Sequence, residues 1–176
     1  MEDKNVVLLR KQPMPFVVNY PSFEGKTKEY VWTGTVGKTV NKRPVPYEVF
    51  EWLKNNTSTF ESGELILEQT DDEEVLYAKE TIQGIEEIEE CVLTKEEIKE
   101  LLEKGNHLTL AKSLKKLTDG DKAEGFISST RRYVLEVAQE IGIDSSAKRK
   151  AIAQWADLDF ENSEFLFDKE LDNLYS

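Results

Sequence analysis

The sequence predicts an α+β protein: a β-rich N-terminal part with one short helix, then a C-terminal bundle of about four short helices and an acidic tail. Three observations carry this prediction. β-branched and aromatic residues crowd the first third, between prolines and glycines. From residue 92 onward, apolar residues recur at three- and four-residue spacing. After residue 156 the chain turns acidic, with aromatics interspersed. The expected divisions are a β-rich domain over 1–92, a helical bundle over 93–156 and a tail over 157–176.

The elements follow in order. VVLLR (6–10), FVVNY (16–20) and EYVWTGTV (29–36) read as strands, and Pro13, Pro15 and Pro21 mark edges or bends. In RPVPYEVFEWLKNNT, Pro46 suits the first position of a helix. Val49, Phe50 and Leu53 supply its apolar stripe, and Asn55–Asn56 can end it in the left-handed region. ELILE (64–68) and EVLYA (74–78) flank TDDE and read as a hairpin. Residues 80–91 are ambiguous, because Ile82, Ile85 and Ile88 are spaced by three while Gly84 opposes a helix.

VLTKEEIKELLEKG is the clearest helix. Thr94 and Glu97 are spaced as a capping box, Leu93 can staple onto Ile98, and Gly105 closes the helix. Ile98, Leu101 and Leu102 form its buried stripe. A second helix is expected over 107–117 on Leu110, Leu114 and Leu117. A third is expected over about 129–141, burying Val134, Val137, Ala138 and Ile141 before Gly142. A fourth is expected from after Asp144 to about Ala156.

Composition narrows the function classes. At 176 residues, 39% hydrophobic and 33% charged, the chain has a globular composition. It has no apolar run of membrane-spanning length, and MEDKNVVLLRKQ lacks a signal-peptide layout. One cysteine, Cys91, excludes an internal disulfide framework. These features lead to an expected cytoplasmic location, in a host cell or a virion if the chain is of phage origin. The net charge of −12 argues against general nucleic-acid binding. The charge is patched: residues 61–100 hold 3 Lys/Arg and 15 Asp/Glu, whereas 1–60 and 101–156 are each net +3 and 157–176 is net −6. Such a chain can complement itself or a copy of itself.

Motifs with chemical promise do not hold up. GTVGKT (34–39) ends like a phosphate loop, but has two residues between its glycines where four are needed, and Pro44 and Pro46 block an immediate helix, so it reads as a plain strand–turn–strand. DGDKAEG (119–125) resembles a calcium loop, but Glu124 stands where the glycine belongs and Thr130 where the bidentate glutamate belongs. His107 and Cys91 are single residues of their kinds, which excludes multi-histidine metal sites. Asp71, Asp72, Glu73 and Glu74 read as turn acids facing water. Trp32, Phe50, Trp52, Phe60 and Tyr77 read as core. No cofactor, metal or catalytic residue is expected, and the chain is read as a non-enzyme.

AKRKAIAQWADLDFE (147–161) is more informative. On a helical wheel Ala147, Ala151, Ile152 and Trp155 share one arc, with Lys148 at its edge and Arg149 and Lys150 outside it. All three cations lie in the first turn, where the helix dipole disfavours them. Arg131 and Arg132 repeat the feature in the third helix as predicted. Either nearby acids such as Glu136 and Asp144 neutralise these cations, or an acidic peptide binds across both first turns. The tail offers such a ligand, with Phe160, Phe165 and Phe167 among its seven acids. The candidate partner-binding residues are therefore Arg131, Arg132, Lys148, Arg149, Lys150, Phe160, Phe165 and Phe167.

VPYEVFEWLKNNTSTFESGELILEQ, KSLKKLTDGD and GIDSSAKRKAIAQWADLDFEN give most of residues 38–162 the texture of a known group. The chain resembles the small accessory proteins encoded among the head and tail genes of tailed bacteriophages. That resemblance implies a virion or assembly component without enzymatic activity. The expected function is protein–protein interaction or assembly, with protein partners that include a second copy engaged through the tail. The alternative is an acidic inhibitor or regulator of a nucleic-acid-binding protein, carried by residues 61–100.

Overall fold

Residues 4–35, 37 and 39–158 are described in a computed structural model of the chain. The layout is α+β, with four strands leading and helices following. The chain divides into two compact units, Met1–Lys95 and Glu96–Ser176.

The first unit contains β1 (Asn5–Arg10), β2 (Phe16–Pro21), β3 (Thr27–Trp32), β4 (Asn41–Pro46), α1 (Tyr47–Asn56), β5 (Ile66–Leu67), α2 (Glu73–Glu80) and α3 (Ile85–Cys91). β1 lies between β4 and β5, antiparallel to both, with Val7 opposite Pro44 and Leu8 opposite Leu67. β2 and β3 form a separate antiparallel pair, Val18 opposite Tyr30. Trp32 joins the two sheets: its ring is fully buried and its indole N–H donates to Leu8 O at 3.1 Å. Arg43 makes a second tie by donating to Val31 O at 2.9 Å. Phe50 and Phe60 meet edge-on at 5.4 Å and belong to the same buried core as Leu53, Val49 and Val45.

Several expectations are corrected here. β4 supplies a strand after the turn read at 34–39, and it takes in Pro44 and Pro46; both sit on an edge strand, where a missing N–H is tolerated. Pro46 (φ −56°, ψ 146°) ends that strand and caps α1, so Tyr47 opens the helix. Thr57 ends α1 in an extended conformation, not a left-handed one. EVLYA is not a strand. Asp72 accepts from the N–H groups of Glu74 and Val75 and starts α2, burying Val75 and Ala78. ELILE does contain a strand, β5, but its partner is β1. Gly84, in the left-handed region at φ +70°, separates α2 from α3, so the helical spacing of Ile85 and Ile88 prevails after it.

The second unit contains α4 (Lys95–Glu103, its first residue in the first unit), α5 (His107–Thr118), α6 (Glu124–Ile141) and α7 (Ser146–Trp155). Leu110, Leu114 and Leu117 are buried on α5, as their spacing predicts. Asn106 caps that helix, accepting from Leu108 and Thr109. α6 begins five residues earlier than expected and buries Phe126. Lys122 folds back to donate to Asp119 O at 2.6 Å, so the DGDKAEG stretch works as a helix–helix connection.

Candidate protein interaction site

The basic stretch on α7 is largely engaged in holding its own unit together. Ser145 caps the helix by accepting from Lys148 N–H. The Lys148 ammonium donates to Leu102 O at 3.0 Å and Glu103 O at 3.3 Å, the last carbonyls of α4. A cation that is unfavourable at the start of one helix thus becomes favourable at the end of another. Arg149 lies inside the core arc, not outside it: it is buried and donates to Ile143 O at 3.1 Å. Ala147, expected inside the arc, is exposed. Lys150 is exposed. Trp155 is half-buried and its indole N–H donates to Thr118 Oγ1 at 2.9 Å.

Arg131 and Arg132 are not in a first turn. With α6 starting at Glu124, they sit in its middle, past the reach of the dipole's positive end. Arg132 is exposed. Arg131 is half-buried, and its Nε is buried without a hydrogen-bond partner among the described residues. Phe160, Phe165 and Phe167 lie outside the described residues.

The acids at 71–74 also have an internal role. Lys4 lies 2.7 Å from Asp72 and 2.6 Å from Glu74. Hydrogen bonding to Asp72 and then Glu74 raises the Lys4 pKa, and the bond from Lys4 lowers that of Asp72. Burial is the first cause, and the hydrogen bond to Glu51 the second, that push Tyr47 up to about 12. A depression of about 640 Å³ lies beside α2, lined by Glu68, Thr70, Asp71 and Lys79 among others. Lys79 is held by Glu89 at 2.7 Å. Among the described residues, no group of three or more His, Cys, Asp or Glu is placed to hold a metal ion. No described helix is long and apolar enough to cross a membrane.

Exposed apolar residues are the feature that composition did not reveal. Phe23 is 99% exposed and Tyr77 73%, the latter a correction to its expected core position. Met14 and Val17 are also exposed, so three of these four residues lie on or beside β2. The available signal was the lack of charge around them: Gln12–Phe23 contains no Asp, Glu, Lys or Arg.

No curated protein and no solved structure matches the chain. Residues 4–84 match the family model for the YonA N-terminal domain, a span that ends within the first unit. YonA is a phage-derived Bacillus protein, so the chain is similar in this part to a phage-associated one.

Proposed function

We propose that the chain is a non-enzymatic protein–protein interaction or assembly protein, a virion or assembly component of a phage. In this reading an acidic-aromatic segment bearing Phe160, Phe165 and Phe167 docks on the basic positions of α6 and α7. Arg131, Arg132 and Lys150 are the receiving cations, while Lys148 and Arg149 hold the helices that present them. The supporting observation is on α6, where Arg132 is exposed beside an Arg131 whose buried Nε has no hydrogen-bond partner among the described residues. A carboxylate meeting the exposed Arg132 guanidinium is held through charge-assisted bonds. The test is light scattering at low and high salt, comparing the full chain with one ending after Leu158. That end point keeps the Leu158 N–H bond to Ala153 O that closes α7. Association at low salt that is lost on truncation, and in an Arg132→Glu/Lys150→Glu variant, is expected. Equal behaviour of all three proteins would overturn tail docking.

A second reading has its own observation. α3 exposes Glu86, Glu87 and Glu90 within the acidic segment, a surface suited to a basic partner. As an inhibitor of a nucleic-acid-binding protein, the chain would bind a basic nuclease or polymerase and be displaced by duplex DNA. Binding that duplex DNA leaves unchanged would remove this reading.

A further inference from the structure

Only β3 pairs with β2 among the described residues. The hairpin between them fixes which backbone groups face outward. Gly25 N–H bonds to Ser22 O at 3.2 Å with Gly25 at φ +70°, and Ser22 N–H bonds to Lys26 O at 2.9 Å. Antiparallel pairs alternate between hydrogen-bonded and non-hydrogen-bonded. Counting from Ser22, the residues Tyr20, Val18 and Phe16 bond to β3. Val17 and Asn19 therefore direct their N–H and C=O groups away from it.

We infer that this free edge pairs with the same edge of a second copy, antiparallel, about a two-fold axis at Val18. Three observations favour a second copy as the occupant. The strand reads Pro15-Phe16-Val17-Val18-Asn19-Tyr20-Pro21, which is nearly symmetric about its centre. Rotation about Val18 sets Val17 opposite Asn19 of the other copy, aromatic opposite aromatic and proline opposite proline. The outward groups of Val17 and Asn19 then form four hydrogen bonds, and the ladder stops at the prolines, which have no N–H to give. Charge is the second observation. Each copy carries −12, yet Gln12–Phe23 is the longest uncharged run in the chain, so two copies meet here without like-charge repulsion. Lys11 and Glu24 bracket the run, and antiparallel pairing brings one of each to either end. Third, Phe23 of each copy comes to the Pro13–Met14 end of the other, covering side chains that are 99% and 63% exposed. An edge that natural proteins usually protect with charge is protected here only at its ends.

This inference is independent of tail docking, which is heterologous and salt-sensitive; edge pairing is isologous and survives salt. The test uses the full chain in high salt, with mass followed by light scattering across concentration. The unmodified chain is expected to reach twice the monomer mass and stop there. Val17 is 47% exposed and Asn19 is exposed, so charging both is expected to leave thermal unfolding unchanged when it is read at concentrations too low for the dimer to form. A Val17→Lys/Asn19→Lys variant sets like charges across the ladder and is expected to weaken dimerisation roughly tenfold or more. A Val17→Glu/Asn19→Glu variant is expected to do the same, and an equimolar mixture of the two to recover the dimer. A chain that is monomeric at every concentration, or a dimer that both variants leave unchanged, would overturn the inference.

Discussion

The start of α7 and the edge of β2 exchange the roles that their compositions suggest. α7 opens with Lys-Arg-Lys, the kind of cluster that invites a ligand, yet Lys148 and Arg149 are committed to carbonyls of their own unit. β2 is neutral and reads as an ordinary strand, yet Val17, with Met14 and Phe23 beside it, is open to water. The difference shows that a charged cluster is available to a partner only where no unsatisfied backbone group of its own fold engages it first. Helical units generate such groups at every C-terminal end, and nearby cations are drawn to them. A two-stranded sheet generates open groups along its edge, and no side chain in Gln12–Phe23 has the charge to cover them.

Four substitutions and one titration break or sharpen this comparison, and urea or thermal unfolding measures the stability changes. The largest effect is expected at Gly34, where an added Cβ would lie 1.5 Å from Pro13 O. Gly34→Ala therefore displaces the backbone that leads into β2, at a cost of about 3 kcal/mol, the upper part of the overpacking range. A loss under about 1 kcal/mol would mean that this end of β2 is not rigidly held. Arg149→Ala comes next, at about 1.5–3 kcal/mol, because it strands Ile143 O and removes a buried charged donor. Lys148→Ala is expected to cost about 0.3–1 kcal/mol through lost capping of α4. Lys150→Ala should stay within about 0.5 kcal/mol of the parent. If Lys150 proved as costly as Arg149, the separation of structural from available cations on α7 would collapse.

The smallest effect concerns the pair at Lys4. Asp72 titrates below the ordinary carboxylate range and Lys4 above the ordinary ammonium range. A lowered acid contributes stability above its unfolded pKa and loses it as pH falls through the folded value; a raised base contributes below its unfolded pKa and loses it as pH rises through the folded value. The pair is therefore intact across neutral pH and fails only in strong acid or strong base. Carbon-detected titration of the Asp72 carboxyl should show a midpoint under 3.8 that returns toward 3.8 in Lys4→Met. An unchanged midpoint in that variant would assign the shift to the helix cap instead.

Much of the fold is legible in the sequence, and the exceptions have reasons. The stripes Leu110–Leu114–Leu117 and Val134–Val137–Ala138 are buried as their periods require. Strands β1, β2 and β3 fall where β-branched residues cluster. EVLYA misleads because Val and Tyr favour a strand, while Asp72 acts from outside the segment to start a helix. The strand–turn–strand reading of GTVGKT allows for β4, whose two prolines are tolerated because it lies at a sheet edge. The candidate site is less legible. The residue types of Lys148, Arg149 and Lys150 are identical in kind, and nothing in their order distinguishes the two that are engaged from the one that is exposed.

The sequence by itself determines the α+β order, the acidic patching, the neutrality of Gln12–Phe23 and the near-symmetry of Pro15–Pro21, because these depend on residues close together along the chain. Only the tertiary structure decides that Arg149 is inside, that Lys148 reaches α4, that Tyr77 is outside and that β2 pairs on one side only among the described residues. Each of those depends on a hydrogen-bonding group or a neighbouring element far away in sequence, and burial is settled by what the fold brings beside a residue.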